Sequence, residues 1–147
     1  MNSAYRHTQI GYLMIACFGS AVAGIAVAFA FGSAPNLGLG VALAILGPCL
    51  FLFPTLTADV RGDRLKCFFG FGLIRREIPL RDVQAVSVVR NSWTYGWGLR
   101  LIPGGWLWNV SGLDAVELKL RDGRLFRIGT DEPERLRVAI SNALTVG

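Results

Sequence analysis

HTQIGYLMIACFGSAVAGIAVAFAFGSAPNLGLGVALAILGPCLFLFPTLTA, residues 7–58, runs for fifty-two positions without an Asp, Glu, Lys or Arg. Within it, Ile10 to Phe31 is almost wholly apolar and would be about 33 Å long as a helix. That length matches a hydrocarbon core of roughly 30 Å. Gly32-Ser33-Ala34-Pro35-Asn36 has the chemistry of a turn, and Pro35 cannot continue a helix. Leu37 to about Leu56 is a second apolar segment of spanning length. Neither segment shows the polar face of a surface helix, and lipid leaves a lone spanning segment no option but the helix. The expectation is a transmembrane helical hairpin, helices about 10–31 and 37–56, which with a short N-terminal tail occupies residues 1–57.

Ala16, Ser20, Gly24 and Ala28 recur every four residues, and Gly40 and Ala44 continue the pattern in the second segment. Small residues let helix backbones approach closely in lipid. They fit packing within the hairpin or association of several hairpins. Arg6 precedes the first segment, Arg61, Arg64 and Lys66 follow the second, and the turn between them has no charge. By the positive-inside rule both termini face the cytoplasm. The competing reading is a cleaved signal peptide, for which Ala28-Phe29-Ala30 resembles a cleavage site. The apolar run is long for a signal core and favours the span.

The chain has 147 residues and a formal charge of +5, and every charged residue except Arg6 follows Ala58. Residues 58–147 therefore have room for one small domain. Its modest positive balance suits a bilayer with anionic lipid and equally serves as a topology signal. No basic run is long enough to suggest nucleic acid. Cys17, Cys49 and Cys67 lack metal-ligand or redox spacing and read as packing residues. No cofactor or metal is expected.

Short strand-like pieces follow: Thr57–Val60, Leu65–Gly70, Ile74–Leu80 and Val83–Arg90, with Pro79 confining the third to an edge or an end. In the third, Ile74, Arg76, Ile78 and Leu80 share one face. The clearest pair is Val116–Ile128. A two-residue Asp122-Gly123 turn would oppose Leu118 to Arg127. A three-residue loop, Arg121 to Gly123, instead opposes Leu118 to Phe126 and Val116 to Ile128, sets Glu117 against Arg127, and puts Gly123 in the left-handed position. Asp131, Pro133 and Glu134 then open a helix, about 132–144, whose Leu136, Ile140 and Leu144 form one stripe.

Together with the apolar hairpin, the segments Tyr95-Gly96-Trp97-Gly98-Leu99-Arg100, Asn109-Val110-Ser111-Gly112, Ala115-Val116-Glu117-Leu118 and Ile128-Gly129-Thr130-Asp131-Glu132-Pro133 resemble a group of uncharacterised bacterial membrane proteins with a pleckstrin-homology-like domain. The resemblance covers nearly the whole chain. It implies an α+β protein of the inner membrane: a two-helix hairpin, then a bent antiparallel β-barrel or sandwich of about seven strands capped by the C-terminal helix. It supplies no ligand and no catalytic residue.

Ser92–Gly112 holds all four tryptophans and a single charge, Arg100. Trp93, Tyr95, Trp97, Arg100, Trp106 and Trp108 form either a surface against the membrane or a partner, or the filling of a barrel end; Trp93 and Trp97 are the more exposed pair in expectation. Arg61, Arg64, Lys66, Arg75 and Arg76 are the candidates for anionic headgroup binding, although Asp63 interrupts them and alternation sends Arg75 and Arg76 to opposite faces. The sole histidine, His7, is far in sequence from the domain. No nucleophile motif, phosphate loop or carboxylate pair suggests catalysis. Asn109-Val110-Ser111 matches a glycosylation acceptor by chance. The sequence thus supports a non-enzymatic assembly module, self-associating or docking another membrane protein, with anionic-lipid sensing as the alternative.

Overall fold

The structure, a computed structural model, describes residues 5–32 and 37–146. It is α+β, with two sheets and three helices. Strand β1, Tyr5–Ile10, leads into helix α1, Tyr12–Ala30; helix α2, Leu37–Leu52, leads into β2, Thr55–Arg61. Then come β3, Arg64–Phe69, β4, Arg75–Pro79, and β5, Val83–Arg90. The tryptophan-rich stretch gives β6, Gly98–Ile102, and β7, Gly105–Asn109. The chain ends in β8, Asp114–Leu120, β9, Leu125–Gly129, and helix α3, Pro133–Val146.

Residues 5–10, expected as a tail up to the helix start at Ile10, are instead the outer strand of the first sheet, whose order is β1-β2-β3-β4. β1 runs antiparallel to β2 from Tyr5 opposite Val60 to Ile10 opposite Thr55. Its inward positions are Tyr5, His7 and Gln9, while Ile10 faces out, so no apolar alternation betrays the strand. The second sheet has the order β5-β8-β9-β7-β6. The expected barrel does not form: β4 ends at Pro79, which has no N–H to donate, and a 3-10 turn at Leu80–Asp82 carries the chain to the other sheet. Nor is the pairing all antiparallel, because β7 lies parallel to β9. That contact is close enough that a Cβ at Gly105 would fall 1.7 Å from the carbonyl oxygen of Leu125, so the position requires glycine.

The β8–β9 register is the one expected from the three-residue loop. Val116 faces Ile128, Glu117 faces Arg127, and Leu118 faces Phe126. Gly123 closes the turn with φ +85° and donates its N–H to Leu120. Both sheets and α3 share one core, built from residues such as Leu56, Val60, Leu65, Val116, Phe126 and Ile128 with Leu136 and Ile140 of α3. Each such side chain contributes about 1.5–3 kcal/mol by leaving water. A row of rings crosses the core: Phe53, Phe69, Trp108 and Phe126, with successive centroids 5.2, 5.1 and 5.5 Å apart.

α1 and α2 pack together yet have no buried residue. α1 is long and apolar enough to cross a membrane; among the described residues it is the one helix that meets both conditions. α2 is equally apolar but has 16 residues, ending at Leu52 instead of near Leu56 because the chain passes through Pro54 into β2. Of the expected turn, Ser33 to Asn36 lies outside the described residues.

Candidate functional site

The helices meet the sheets at a tightly bonded junction. Gly11, between β1 and α1, donates its N–H to the carbonyl of Pro54 at 2.8 Å, tying the start of one helix to the end of the other. Beside it the Asn109–Gly112 turn gathers several elements. Gln9 Nε2 donates to the Ser111 carbonyl at 3.1 Å, while Trp97 Nε1 and Asn109 Nδ2 both donate to the Gly112 carbonyl. Asn109 is buried in that turn, which is the structural role of the apparent glycosylation triplet. On the α2 side, Gly70 donates its N–H to Thr55, and the loop after it exposes Phe71 and Leu73 close to exposed Phe51. Exposed apolar side chains thus stand on the α2 side of the place where the helices leave the sheets.

The tryptophan-rich stretch divides in two. Trp108 is only 7% exposed and stacks in the core, so it does not belong to a surface. Trp93 is 74% exposed and Trp97 and Tyr95 are half-buried, whereas Trp106, expected to be less exposed than Trp97, is 45% exposed. Trp106 lies opposite Leu101 across the β6–β7 pair, and Leu101 is itself 74% exposed. They share a face with Leu99 and Trp108 but stand beyond the edge of the core.

β6 pairs only with β7 and is an outer strand. Natural sheets blunt such edges with charge, proline or bulges. β1 has Arg6 and His7; β4 has Arg75, Arg76, Glu77 and Pro79; β5 packs against α3 and carries a register break between Val83 and Ala85. β6 has only Arg100, whose Nε donates back to the Trp97 carbonyl at 2.9 Å. It is the least protected edge, with an apolar pair at its end. Sequence reading passed over Leu101, whose neighbours Leu99 and Ile102 are covered.

The basic candidates do not form one patch. Arg61 Nε is 2.9 Å from Asp59, and Arg64 and Lys66 both approach Glu77, at 3.6 and 3.5 Å. Arg75 points outward, whereas Arg76 points between the sheets, its guanidinium 4.6 Å from the centroid of Phe126. Burial, then repulsion from Arg124, holds Arg76 below its ordinary pKa.

The small-residue positions are also redistributed. Ala16, Ser20, Gly24, Gly40 and Ala44 are exposed, Ala28 is half-buried, and Ser20 Oγ donates to the Ala16 carbonyl. The half-buried positions of α1 include Phe18, Val22, Ile25 and Phe29 beside Gly19, Ala21 and Ala28, so the sheltered side mixes large and small side chains.

His7 proves to be close to the domain's last helix. Its Nε2 lies 2.6 Å from Asp131, and Tyr5 donates to Glu132 at 3.4 Å. Burial and the Glu132 carboxylate push the Tyr5 phenol up to about 12. Asp131 therefore serves β1, and Thr130 Oγ1 accepts from the Glu132 N–H in the turn that precedes α3. Cys67 is buried and its thiol is pushed up to about 12 by desolvation. Among the described residues no group of His, Cys, Asp and Glu is placed to hold a metal ion. No family model matches the chain, and no curated protein matches it significantly.

Proposed function

We propose that this chain is a membrane-anchored, non-enzymatic assembly module that self-associates through β6. The observation that carries the reading is the exposed Leu101–Trp106 pair on the least protected sheet edge. The occupant that fits is a second copy of the chain. A strand edge can pair with itself about a two-fold axis, and two copies held in one membrane present β6 at the same height.

Anchoring is supported by two apolar helices with nothing buried, which call for an apolar solvent. It is supported again by β1 and β2: strands paired over six positions lie on one face of a membrane, so the chain that leaves along α1 returns along α2. Arg6, Arg61, Arg64 and Lys66 favour the cytoplasmic face, and the resemblance favours the bacterial inner membrane. Two sheets around one core with a C-terminal helix agree with a pleckstrin-homology-like domain in which the helices interrupt the first strand pair. The alternative, headgroup sensing through Arg61, Arg64, Lys66, Arg75 and Arg76, has less support, because Arg61 and Arg64 sit at the end of β2 and β3 remote from the helices and are paired with carboxylates.

Native mass spectrometry of the full-length protein, released gently from its membrane, tests the proposal. A defined homo-oligomer is expected, reduced to monomer by Leu101→Lys and by Trp106→Lys. A monomeric wild-type protein, or an oligomer indifferent to both changes, refutes it; a monomer retaining one anionic lipid class until Arg61 and Arg64 are reversed makes headgroup sensing the better reading.

A further inference from the structure

Between the end of β4 and the β8–β9 turn, the two sheets part to leave a cleft of about 290 Å³. That is close to the lower end of the roughly 300–1,000 Å³ typical of small-molecule sites. Ile78 and Leu120 give it an apolar floor, and Arg76, Arg121 and Arg124 supply cations. Of the carboxylates around it, Asp122 is paired with Arg124 at the rim, and Glu77 and Asp82 approach cations outside the lining. Asp122 accepts from Arg124 Nε at 2.7 Å and from the Arg124 N–H at 3.0 Å. Glu77 faces Arg64 and Lys66, and Asp82 lies 3.9 Å from Arg81.

Arg76 is different. It projects from the apolar face of β4 over the ring of Phe126, and among the described residues it has no ion pair and no hydrogen bond, with Asp122 acting on it only at longer range. Arg121 uses its Nε on the Arg81 carbonyl and also has no carboxylate partner. A guanidinium offers five donors in a planar fork suited to phosphate oxygens. Two such groups therefore face one small cleft with donors to spare. Burial and repulsion from Arg124 disfavour the charge on Arg76 more than Cys67 and Asp122 favour it, and an anion between the guanidiniums reduces that cost.

We infer that this cleft binds a small phosphate-type anion, gripped by Arg76 and Arg121 with Arg124 at the rim. The strand directions indicate which source of phosphate reaches it. β2 starts beside α2 and ends at Arg61, about 20 Å away. Leu80, next to the cleft, donates its N–H to Asp63 in the turn at that far end. In the other sheet, β8 starts at Asp114, just past the turn that touches Gln9, and ends at Leu120 in the cleft. The cleft lies at the end of the domain remote from the helices, so its ligand is soluble phosphate or a small phosphorylated molecule, not a headgroup of the bilayer holding α1.

Calorimetric titration of the full-length protein in phosphatidylcholine nanodiscs, with inorganic phosphate and with pyrophosphate at constant ionic strength, tests this. Saturable binding of at least one is expected. Arg76→Met, which keeps an apolar chain over Phe126, should weaken it about tenfold or more. Arg121→Gln, on the exposed turn, should weaken it several-fold without disturbing the core, while Arg75→Gln, outward on the same strand, leaves it unchanged. No saturable binding at millimolar concentration overturns the inference, as does binding equally strong in Arg76→Met and Arg121→Gln. Binding that appears only when the nanodiscs contain phosphatidylglycerol, with none to the soluble anions, overturns it too. The oligomeric state is a separate readout, so this site and the β6 interface stand or fall independently.

Discussion

Replacing Trp108 with Ala removes the centre of the ring row that links the two sheets. Trp108 is 7% exposed, and its ring lies 5.1 Å from that of Phe69 and 5.5 Å from that of Phe126. Truncating a buried aromatic typically costs about 3–5 kcal/mol, since the surroundings collapse only partly into the void. Phe69 belongs to one sheet and Phe126 to the other, so relaxation that closes the void on one side opens it on the other, and the cost should be near the middle of the range, about 4 kcal/mol. For a domain of this size that lowers the melting temperature by roughly 15 °C or more. Thermal unfolding of the full-length protein in detergent, followed by near-ultraviolet circular dichroism, measures it. Trp93→Ala is the internal comparison: at 74% exposure it should change stability by no more than about 0.5 kcal/mol. A Trp108→Ala protein that melts with the wild type, or a Trp93→Ala protein that loses as much, refutes the division of the tryptophans into core and surface.

Three further outcomes are expected. Gly105→Ala drives a methyl into the Leu125 backbone, separating β7 from β9; the variant should fail to give the cooperative melt of the wild type, whereas Gly123→Asn, at an open turn, should retain it. Glu117→Ala leaves Arg127 with only Asn91 as a partner, 3.2 Å away, and should cost about 2 kcal/mol in a denaturant titration; a change near zero would show that the Arg127–Glu117 pair, 2.6 Å apart, adds nothing net. Stability should also fall in alkali. Cys67 and Tyr5 have folded-state pKa values raised to about 12 from 9.0 and 10.0, so the folded state holds their protons longer than the unfolded state. Their contribution is complete below pH 9 and is lost as pH rises from 9 towards 12. A Cys67→Ala protein should show a shallower decline over that interval, and an identical slope would contradict the assignment.

The parts of the fold that were legible in the sequence are those where local chemistry and periodicity agree. The β8–β9 turn is one: only the three-residue loop keeps Val116, Leu118, Phe126 and Ile128 on a common face, and that register is present. The stripe of Leu136 and Ile140 in α3 is another. β1 was not legible, because its inward side chains, Tyr5, His7 and Gln9, are polar and meet their partners more than a hundred residues away. The parallel β7–β9 pair and the open sheets were hidden for a related reason: strand order depends on which edges meet, not on alternation within a strand. Trp106 and Trp108 show the limit most plainly. Two residues apart, they point to the same side, and only the extent of the opposite sheet leaves one half-exposed and the other buried.

The pairing of β1 with β2 also governs the order in which the protein can be made. Tyr5 and its partner Val60 are separated in the chain by both apolar helices. During synthesis β1 emerges first, yet it has nothing to pair with until the whole of α1 and α2 has followed. If α1 and α2 enter a bilayer as proposed, the first sheet closes only after both helices have reached the lipid and the chain has returned to the same face. On that proposal insertion is a checkpoint for folding: a copy whose helices stall would leave Tyr5 and His7 without β2 beside them and the edge of β2 exposed to proteases. Completion of the domain would then report that the proposed anchor is in place.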